Sequence, residues 1–167
     1  ASGKEFCENP KIRKITFTGS TRVGRILLGQ AADQVKKCSM ELGGNAPFIV
    51  FNDADLDDAV IGAMACKFRN NGQTCVCANR IYVQSGVYTE FTKRFKTAVE
   101  AMKVGDGFEG ADLGPLISNP ALTKVKEHIS DALSKGAMIV TGGKPHDLGG
   151  TFFQPTILTG VTQDMQV

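Results

Sequence analysis

Cys75 follows a polar, glycine-containing stretch at residues 70–74, between a predicted helix and a predicted strand. Exposure and polar neighbours would allow its thiol to ionise, and the thiolate is the nucleophilic form of cysteine. Nearby backbone N–H groups and an asparagine side chain could then hold an oxyanion. The competing interpretation of a lone cysteine is a small buried hydrophobe, and we assign that interpretation to Cys7, Cys38 and Cys66.

Glu41 is a candidate general base. It lies at the C-terminal end of a predicted strand, immediately before Leu42 and two glycines. In α/β proteins the ligand crevice lies at that end of the strands. Partial burial would raise the pKa of the Glu41 carboxyl group toward the range that a general base needs. The alternative is a solvated glutamate at the end of a strand.

Gly19 and Gly24 lie five residues apart in a predicted strand-to-helix turn, with Ser20 directly after the first of them. Glycine allows the backbone to approach a ligand closely, and the start of a helix presents free N–H groups that suit a phosphate. The spacing matches neither the P-loop nor the G-x-G-x-x-G pattern. Two interpretations therefore stay open, an ordinary tight turn and a nucleotide contact.

The elements that must position these residues alternate between strands and helices. Short β-branched or apolar runs predict strands at residues 15–18, 38–42, 48–51, 81–83 and 138–140, with an edge or irregular strand at 152–158. Apolar stripes at helical spacing predict helices at residues 23–31, 56–68, 88–102 and 120–133. The run at 48–51 is continuously apolar, so we expect a strand buried on both faces. The alternation predicts an α/β fold around a largely parallel sheet.

Composition excludes several classes of function. The chain has 167 residues and a formal net charge of +2, so we expect neither a nucleic-acid partner nor a polybasic membrane segment. Its apolar runs are too short for a transmembrane helix, and residues 1–10 lack the pattern of a signal peptide. The five cysteines include no C-x-x-C, and His128 and His146 lie far from them. We therefore expect a reducing compartment, with neither a disulfide framework nor a metal site.

Three motifs in this order and spacing resemble the aldehyde dehydrogenase superfamily. They are FTGSTxxG at residues 17–24, ELGGNAP at 41–47 and GQTC at 72–75. Longer strings at residues 44–60, 67–80 and 152–158 closely resemble the succinate-semialdehyde dehydrogenase branch. The resemblance runs from Pro10 to the end of the chain. It implies an α/β fold, namely the end of a Rossmann-like cofactor domain followed by most of a catalytic domain with a mainly parallel sheet.

The resemblance also implies roles for the candidate residues. Cys75 would attack the aldehyde carbon to form a thiohemiacetal, and hydride transfer to NAD or NADP would leave a thioester. Glu41 would activate the water that hydrolyses this thioester. Gly19 and Ser20 fall on the cofactor turn near the pyrophosphate, and Leu42 lies near the nicotinamide. The resemblance therefore implies an oxidoreductase with a small-molecule aldehyde as its substrate.

Arg69 and Cys77 extend this expected site. Arg69 precedes Cys75 by six residues and matches the arginine that grips the distal carboxylate of the substrate in the semialdehyde branch. A guanidinium fork suits a carboxylate because it can form two parallel hydrogen bonds. Cys77 could form a strained, easily reduced disulfide with Cys75, provided that the chain turns here. Otherwise Cys77 is a bystander on a strand.

The resemblance covers about the middle third of such an enzyme. It implies that residues 1–43 complete the NAD(P)-binding domain and that residues 44–167 begin the catalytic domain. We expect the chain alone to be inactive, and the whole enzyme to be a homodimer or homotetramer in the cytoplasm, or in the mitochondrial matrix of a eukaryote. Two alternatives stay open: an enzyme for another acid semialdehyde such as glutarate semialdehyde, and a non-catalytic phosphate-binding α/β fragment.

Overall fold

The structure, a computed structural model, describes residues 2–167. The chain divides into two compact units, Ala1–Gly44 and Asn45–Val167. The predicted domain boundary, between residues 43 and 44, lies beside this division. The assignment of the two parts to a cofactor domain and a catalytic domain stays a prediction. Among residues 2–167, no helix combines the length and the apolar character that a membrane crossing requires.

Over residues 2–44, the first unit contains two α-helices and one pair of parallel strands. Its elements are α1 (Ser2–Glu8), β1 (Lys14–Gly19), α2 (Thr21–Ala31) and β2 (Lys37–Leu42), with a 3-10 turn at Ala32–Gln34. The strands pair in register from Lys14 opposite Lys37 to Gly19 opposite Leu42. The C-terminal ends of β1 and β2 therefore lie side by side, at the edge where the sequence predicts a ligand.

The core of this unit joins both helices to β1. Ile15 of β1 and Leu27 and Ala31 of α2 are buried together with Cys7 of α1. The Cys7 thiol donates a hydrogen bond to the Leu27 carbonyl at 3.6 Å, which ties α1 to α2. The sequence did not predict α1, because seven residues are too few to show a clear apolar stripe. Cys7 is buried as predicted, whereas Cys38 is half-buried.

The second unit is built around another pair of parallel strands. Its elements are β3 (Ala46–Val50), α3 (Leu56–Phe68), β4 (Ala78–Val83), α4 (Tyr88–Glu100), α5 (Asn119–Ser134), β5 (Met138–Thr141) and β6 (Ile157–Thr159), with 3-10 turns at Arg69–Gly72 and Gly107–Glu109. β3 and β4 are parallel, and β5 and β6 are antiparallel. The predicted α/β class with mainly parallel strand pairs is confirmed.

Helices α3 and α4 cover one face of the β3–β4 pair. Asp55 starts α3, because its carboxylate accepts the backbone N–H groups of Asp57 at 2.9 Å and Asp58 at 3.2 Å. In the core, the rings of Phe91 and Phe95 stack with centroids 5.6 Å apart. The buried core residues of this layer are Val50, Val60, Ala63, Phe91, Phe95 and Val99.

The other face of the β3–β4 pair is open, so the expectation that residues 48–51 are buried on both faces is wrong for this chain. Ile49 is 55% exposed and Phe51 is 56% exposed, and Tyr82, which lies opposite Ile49 on β4, is 49% exposed. Side chains alternate along a strand, and α3 and α4 pack only on the face of Val50. The apolar run therefore has apolar side chains on both faces of the strand pair, and within residues 45–167 the helices cover only the face of Val50.

The irregular strand predicted at residues 152–158 is shorter than expected. β6 begins only at Ile157 and pairs with β5. Phe153 forms an isolated bridge with Pro145 instead. Pro155 lies between this bridge and β6, and it interrupts the pairing because proline has no N–H group to donate to a strand ladder.

Candidate active site

Three consecutive left-handed residues reverse the chain after α3. Asn70, Asn71 and Gly72 have φ angles of 53°, 58° and 69°. Asparagine tolerates this region better than most residues do. Glycine suits residue 72 best, because an added Cβ would be strained at this φ and would lie 3.0 Å from the carbonyl oxygen and 2.9 Å from the Nζ atom of Lys67. The reversal brings the following residues back over the C-terminal end of α3.

Cys75 lies on the turn that follows this reversal, and its side chain is exposed. The turn is closed by a hydrogen bond from the backbone N–H of Cys77 to the carbonyl of Thr74 at 3.4 Å. The next residue, Val76, is 62% exposed. The interpretation of Cys75 as a small buried hydrophobe is therefore wrong, and within this unit its sulfur is open to an electrophile.

Cys77 points the other way and holds the turn against α3. It is 1% exposed, and its Sγ atom lies 2.8 Å from the Thr74 hydroxyl. The Cys77 thiol also donates to the carbonyl of Lys67 at 3.4 Å. The turn that a disulfide with Cys75 requires is present, but both thiols are free and only one is accessible. The redox pairing stays a prediction, and the bond would first have to release Cys77 from these contacts.

Lys67 lies under the turn, and no sequence pattern singles it out. Its ammonium group donates to the Asn79 side chain at 2.6 Å. Burial lowers the pKa of Lys67, and the neighbouring Cys77 and Cys66 thiols partly offset this by favouring the charged form. Lys67 therefore contributes a half-buried ammonium group beside the reversal.

The amide side chains of Asn71 and Gln73 anchor the same stretch to a distant loop. Asn71 Oδ1 accepts the N–H of Gly114 at 2.8 Å, and Asn71 Nδ2 donates to the carbonyl of Pro115 at 3.2 Å. Gln73 Oε1 accepts the N–H of Ile117 at 3.0 Å. Sequence reasoning missed these contacts because the partners lie 43 or 44 residues away. The only local sign of this arrangement is the pair of asparagines before a glycine at the end of a predicted helix, which is typical of a left-handed turn.

Arg69 ends α3 and is exposed. A surface arginine here could instead pair with an acid of α3 such as Asp57 or Asp58. The structure pairs Asp57 with Arg94 instead, at 2.7 Å. Within residues 2–167 the Arg69 side chain forms no ion pair. Its guanidinium group is therefore available to an anion, six residues before Cys75.

The first unit brings its candidate residues to one edge. Gly19 at the end of β1 lies opposite Leu42 at the end of β2, and Thr18 lies opposite Glu41. Ser20 follows Gly19 and caps α2, since its hydroxyl accepts the N–H of Val23 at 3.3 Å. Glu41 is exposed within this unit, so the partial burial that would tune it as a base is not provided by residues 2–44.

The two glycines of the turn serve packing within the unit. A Cβ on Gly24 would lie 2.8 Å from a methyl carbon of Leu42, so glycine at residue 24 lets α2 pack closely on β2 with the Leu42 side chain in its present position. A Cβ on Gly19 would lie 2.4 Å from the ring of Phe17. This explains both glycines without a ligand, and the nucleotide contact stays a prediction.

The aldehyde dehydrogenase family model matches residues 1–167, the full length of the chain. The chain belongs to the aldehyde dehydrogenase family. The resemblance inferred from the motifs is thereby confirmed. The chain is 60% identical over 166 residues to a glutarate-semialdehyde dehydrogenase of Pseudomonas aeruginosa. This match covers 99% of this chain and 34% of that protein. It is 59% identical over 168 residues to an NADP(+) succinate-semialdehyde dehydrogenase of Escherichia coli, covering 100% of this chain and 35% of that protein.

The fold agrees with solved aldehyde dehydrogenases. A crystal structure of succinate-semialdehyde dehydrogenase from Burkholderia pseudomallei superposes with a TM-score of 0.96 at 59% identity, covering 98% of this chain and 34% of that one. The chain thus spans about a third of the length of the aldehyde dehydrogenases that it matches.

Proposed function

We propose that this chain is part of an NAD(P)-dependent aldehyde dehydrogenase that oxidises an aldehyde with a distal carboxylate, foremost succinate semialdehyde, to the corresponding acid. One observation carries the proposal. Cys75 is exposed on a tight turn, six residues after an exposed Arg69 that forms no ion pair within residues 2–167. A nucleophile and a free guanidinium group at this spacing suit a short substrate with an aldehyde at one end and an acid at the other.

Cys75 is the nucleophile in this proposal. Its thiolate attacks the aldehyde carbon, so a C–S bond forms and the carbonyl oxygen takes up the negative charge. Backbone N–H groups near the turn are the available donors for that oxygen. After oxidation the carbon remains bound to Cys75 as a thioester. Water then attacks the acyl carbon, the C–S bond breaks, and the thiolate is restored as the acid leaves.

Glu41 is the general base for that water in this proposal. A carboxylate that accepts the proton as water attacks contributes typically about 10²–10⁴-fold to the rate. Its place at the end of β2, next to Leu42, is where ligands of α/β proteins bind. An isosteric Glu41→Gln enzyme should therefore still form the thioester but hydrolyse it slowly.

The edge formed by β1 and α2 fits a dinucleotide phosphate. Ser20 satisfies the N–H groups of Val23 and Gly24 through its hydroxyl and its carbonyl. The N–H groups of Thr21 and Arg22, at the start of α2, have no partner within residues 2–44 and suit a phosphate oxygen. In the proposal Gly19 and Ser20 lie at the pyrophosphate and Leu42 at the nicotinamide. NAD(P)⁺, when bound, supplies the acceptor for the hydride that leaves the Cys75 adduct.

Glutarate semialdehyde is the second candidate substrate. The relative at 60% identity carries that substrate in its name. Glutarate semialdehyde differs from succinate semialdehyde by one methylene, which a hydrophobic pocket distinguishes by only about 1–3 kcal/mol. The distal carboxylate is common to both, so the same Arg69 serves either substrate.

The test is steady-state oxidation by the full-length protein that contains this chain. We expect NAD(P)H formation with succinate and glutarate semialdehydes, and a much lower kcat/KM with butanal, which lacks the carboxylate. Cys75→Ala should abolish both turnover and acyl labelling, whereas Glu41→Gln should keep the labelling and lose turnover. Ordinary turnover by Cys75→Ala would show that another group is the nucleophile, and equal kcat/KM for butanal would remove the acid-substrate assignment.

A further inference from the structure

The stretch that carries Cys75 is anchored from outside, by residues 114–117, which we term the anchor segment. Three hydrogen bonds of 2.8–3.2 Å join it to the side chains of Asn71 and Gln73. Asn71 and Gln73 lie within four residues of Cys75. Their side-chain amides form these hydrogen bonds with the anchor segment and not with the turn that carries Cys75. The position of the proposed nucleophile therefore depends on a loop more than forty residues away in sequence.

The anchor segment is itself held on its other side. The N–H of Leu116 donates to the carbonyl of Thr151 at 3.0 Å, and the Thr151 hydroxyl donates to the carbonyl of Leu116 at 2.8 Å. Just before the segment, Leu113 is 5% exposed and its carbonyl accepts the N–H of Gly105 at 2.8 Å. A segment with backbone groups bonded on both sides has little freedom, so it can hold in place the groups that bind to it.

The backbone of the anchored stretch needs such support. Asn70 and Asn71 both adopt left-handed conformations, which asparagine tolerates better than most residues but which still cost more than they do for glycine, so contacts that hold the stretch help to maintain them. Both the oxygen and the nitrogen of the Asn71 amide form hydrogen bonds with the anchor segment. Gly114 allows the close approach, because a Cβ there would lie 3.3 Å from Asn71 Nδ2.

We propose that Asn71 and Gln73 are positioning residues, which set the place of the Cys75 sulfur by binding the anchor segment. This inference rests on the proposed role of Cys75 as the nucleophile. A displacement of about 1 Å in a reacting group costs up to about 10²-fold in rate. The contribution of the two amides should therefore appear in thioester formation and hardly in the intrinsic reactivity of an exposed thiol.

A matched pair of substitutions in the full-length protein isolates this contribution. Asn71→Gly removes two of the three anchor contacts. Asn70→Gly removes a side chain whose only hydrogen bond within residues 2–167, to the Gln73 carbonyl at 3.3 Å, stays within the stretch. Glycine accepts the left-handed backbone at both positions. We expect Asn71→Gly to slow the single-turnover acylation of Cys75 by about 10- to 100-fold. Asn70→Gly should stay within about threefold, because all three anchor contacts remain and the Asn70 amide, which donates to the Gln73 carbonyl, is not the group that holds the oxyanion.

Three further measurements separate positioning from unfolding. The rate of Cys75 alkylation by iodoacetamide, the pH midpoint of that rate and the midpoint of thermal unfolding should agree between the two variants.

Gln73→Met should also slow acylation. Combining it with Asn71→Gly should slow acylation by less than the product of the two single effects, because both residues act through one segment. Should Asn71→Gly fail to fold, Gln73→Met still tests the inference alone.

The contrary results are equally definite. Equal acylation rates in Asn70→Gly and Asn71→Gly, or an unchanged rate in Gln73→Met, would overturn the positioning role. If the proposed function itself is wrong, the unsubstituted enzyme will form no acyl label on Cys75. That result would overturn both the proposed function and the positioning role.

Discussion

At the scale of single residues, Cys75 and Cys77 show how one turn gives two thiols opposite roles. Cys75 is exposed, while Cys77 is buried against Thr74 and the carbonyl of Lys67. A thiol engaged in hydrogen bonds inside the protein stabilises the turn, and an accessible thiol can react. The chemistry of the site therefore depends on which way each cysteine faces, and spacing alone does not reveal this.

Arg69 provides the residue-scale prediction. Removing one partner of a desolvated charge pair costs about 2–5 kcal/mol, which corresponds to a fall of about 1.5 to 3.5 decades in kcat/KM. Arg69→Ala should lower kcat/KM for succinate semialdehyde by that amount in the full-length protein, with butanal almost unaffected. Arg69→Lys should fall between, because the charge remains and the two-pronged geometry is lost. An equal loss on both aldehydes would mean that Arg69 only supports the loop.

At the scale of elements, the packing of α2 on β2 links a glycine to a proposed cofactor contact. The sequence indicated a turn with two glycines and a ligand at its edge. The structure shows that Gly24 lies within the helix and makes room for the Leu42 side chain at the end of β2. A change at residue 24 therefore acts on Leu42, and through it on the edge where we place the nicotinamide.

Gly24→Ala and Gly29→Ala form a matched test of that link, since both residues lie in α2. The new Cβ at residue 24 would lie 2.8 Å from Leu42 Cδ2, whereas nothing lies within 4 Å of one at residue 29. At residue 24 overpacking costs about 1–3 kcal/mol in the free energy of unfolding, which offsets or exceeds the gain of about 1 kcal/mol in helix propensity, and Gly24→Ala should raise KM for NAD(P)⁺. Gly29→Ala should gain about 1 kcal/mol from helix propensity and leave KM unchanged. Chemical denaturation and cofactor titration measure both effects, and similar KM values in the two variants would disconnect Leu42 from the cofactor.

At the scale of the whole molecule, the sequence was informative wherever the signal is local. Periodicity predicted α2 to α5 and β1 to β5, and the motifs predicted the family. It could not predict the anchor contacts of Asn71 and Gln73, because hydrogen bonds to a loop over forty residues away leave no local pattern. The expectation that β3 is buried on both faces fails for this chain, because an apolar run shows that a face can be buried but not which residues bury it.

The open face of β3 and β4 supports the last prediction. The chain spans about a third of its relatives' length, so we expect the rest of the full-length protein to cover Ile49 and Tyr82. In the isolated chain Ile49→Thr should change the free energy of unfolding by less than about 0.5 kcal/mol, as for other exposed positions.

Val50→Thr, on the covered face, should cost about 1–3 kcal/mol because it buries a hydroxyl group. In the full-length protein both substitutions should be costly. The isolated chain should also form no NAD(P)H from succinate semialdehyde, because it carries only one edge of the proposed cofactor site. Urea denaturation of Ile49→Thr and Val50→Thr, each in the isolated chain and in the full-length protein, measures these changes in the free energy of unfolding. If Ile49→Thr is as harmless in the full-length protein as in the isolated chain, this face stays open to solvent.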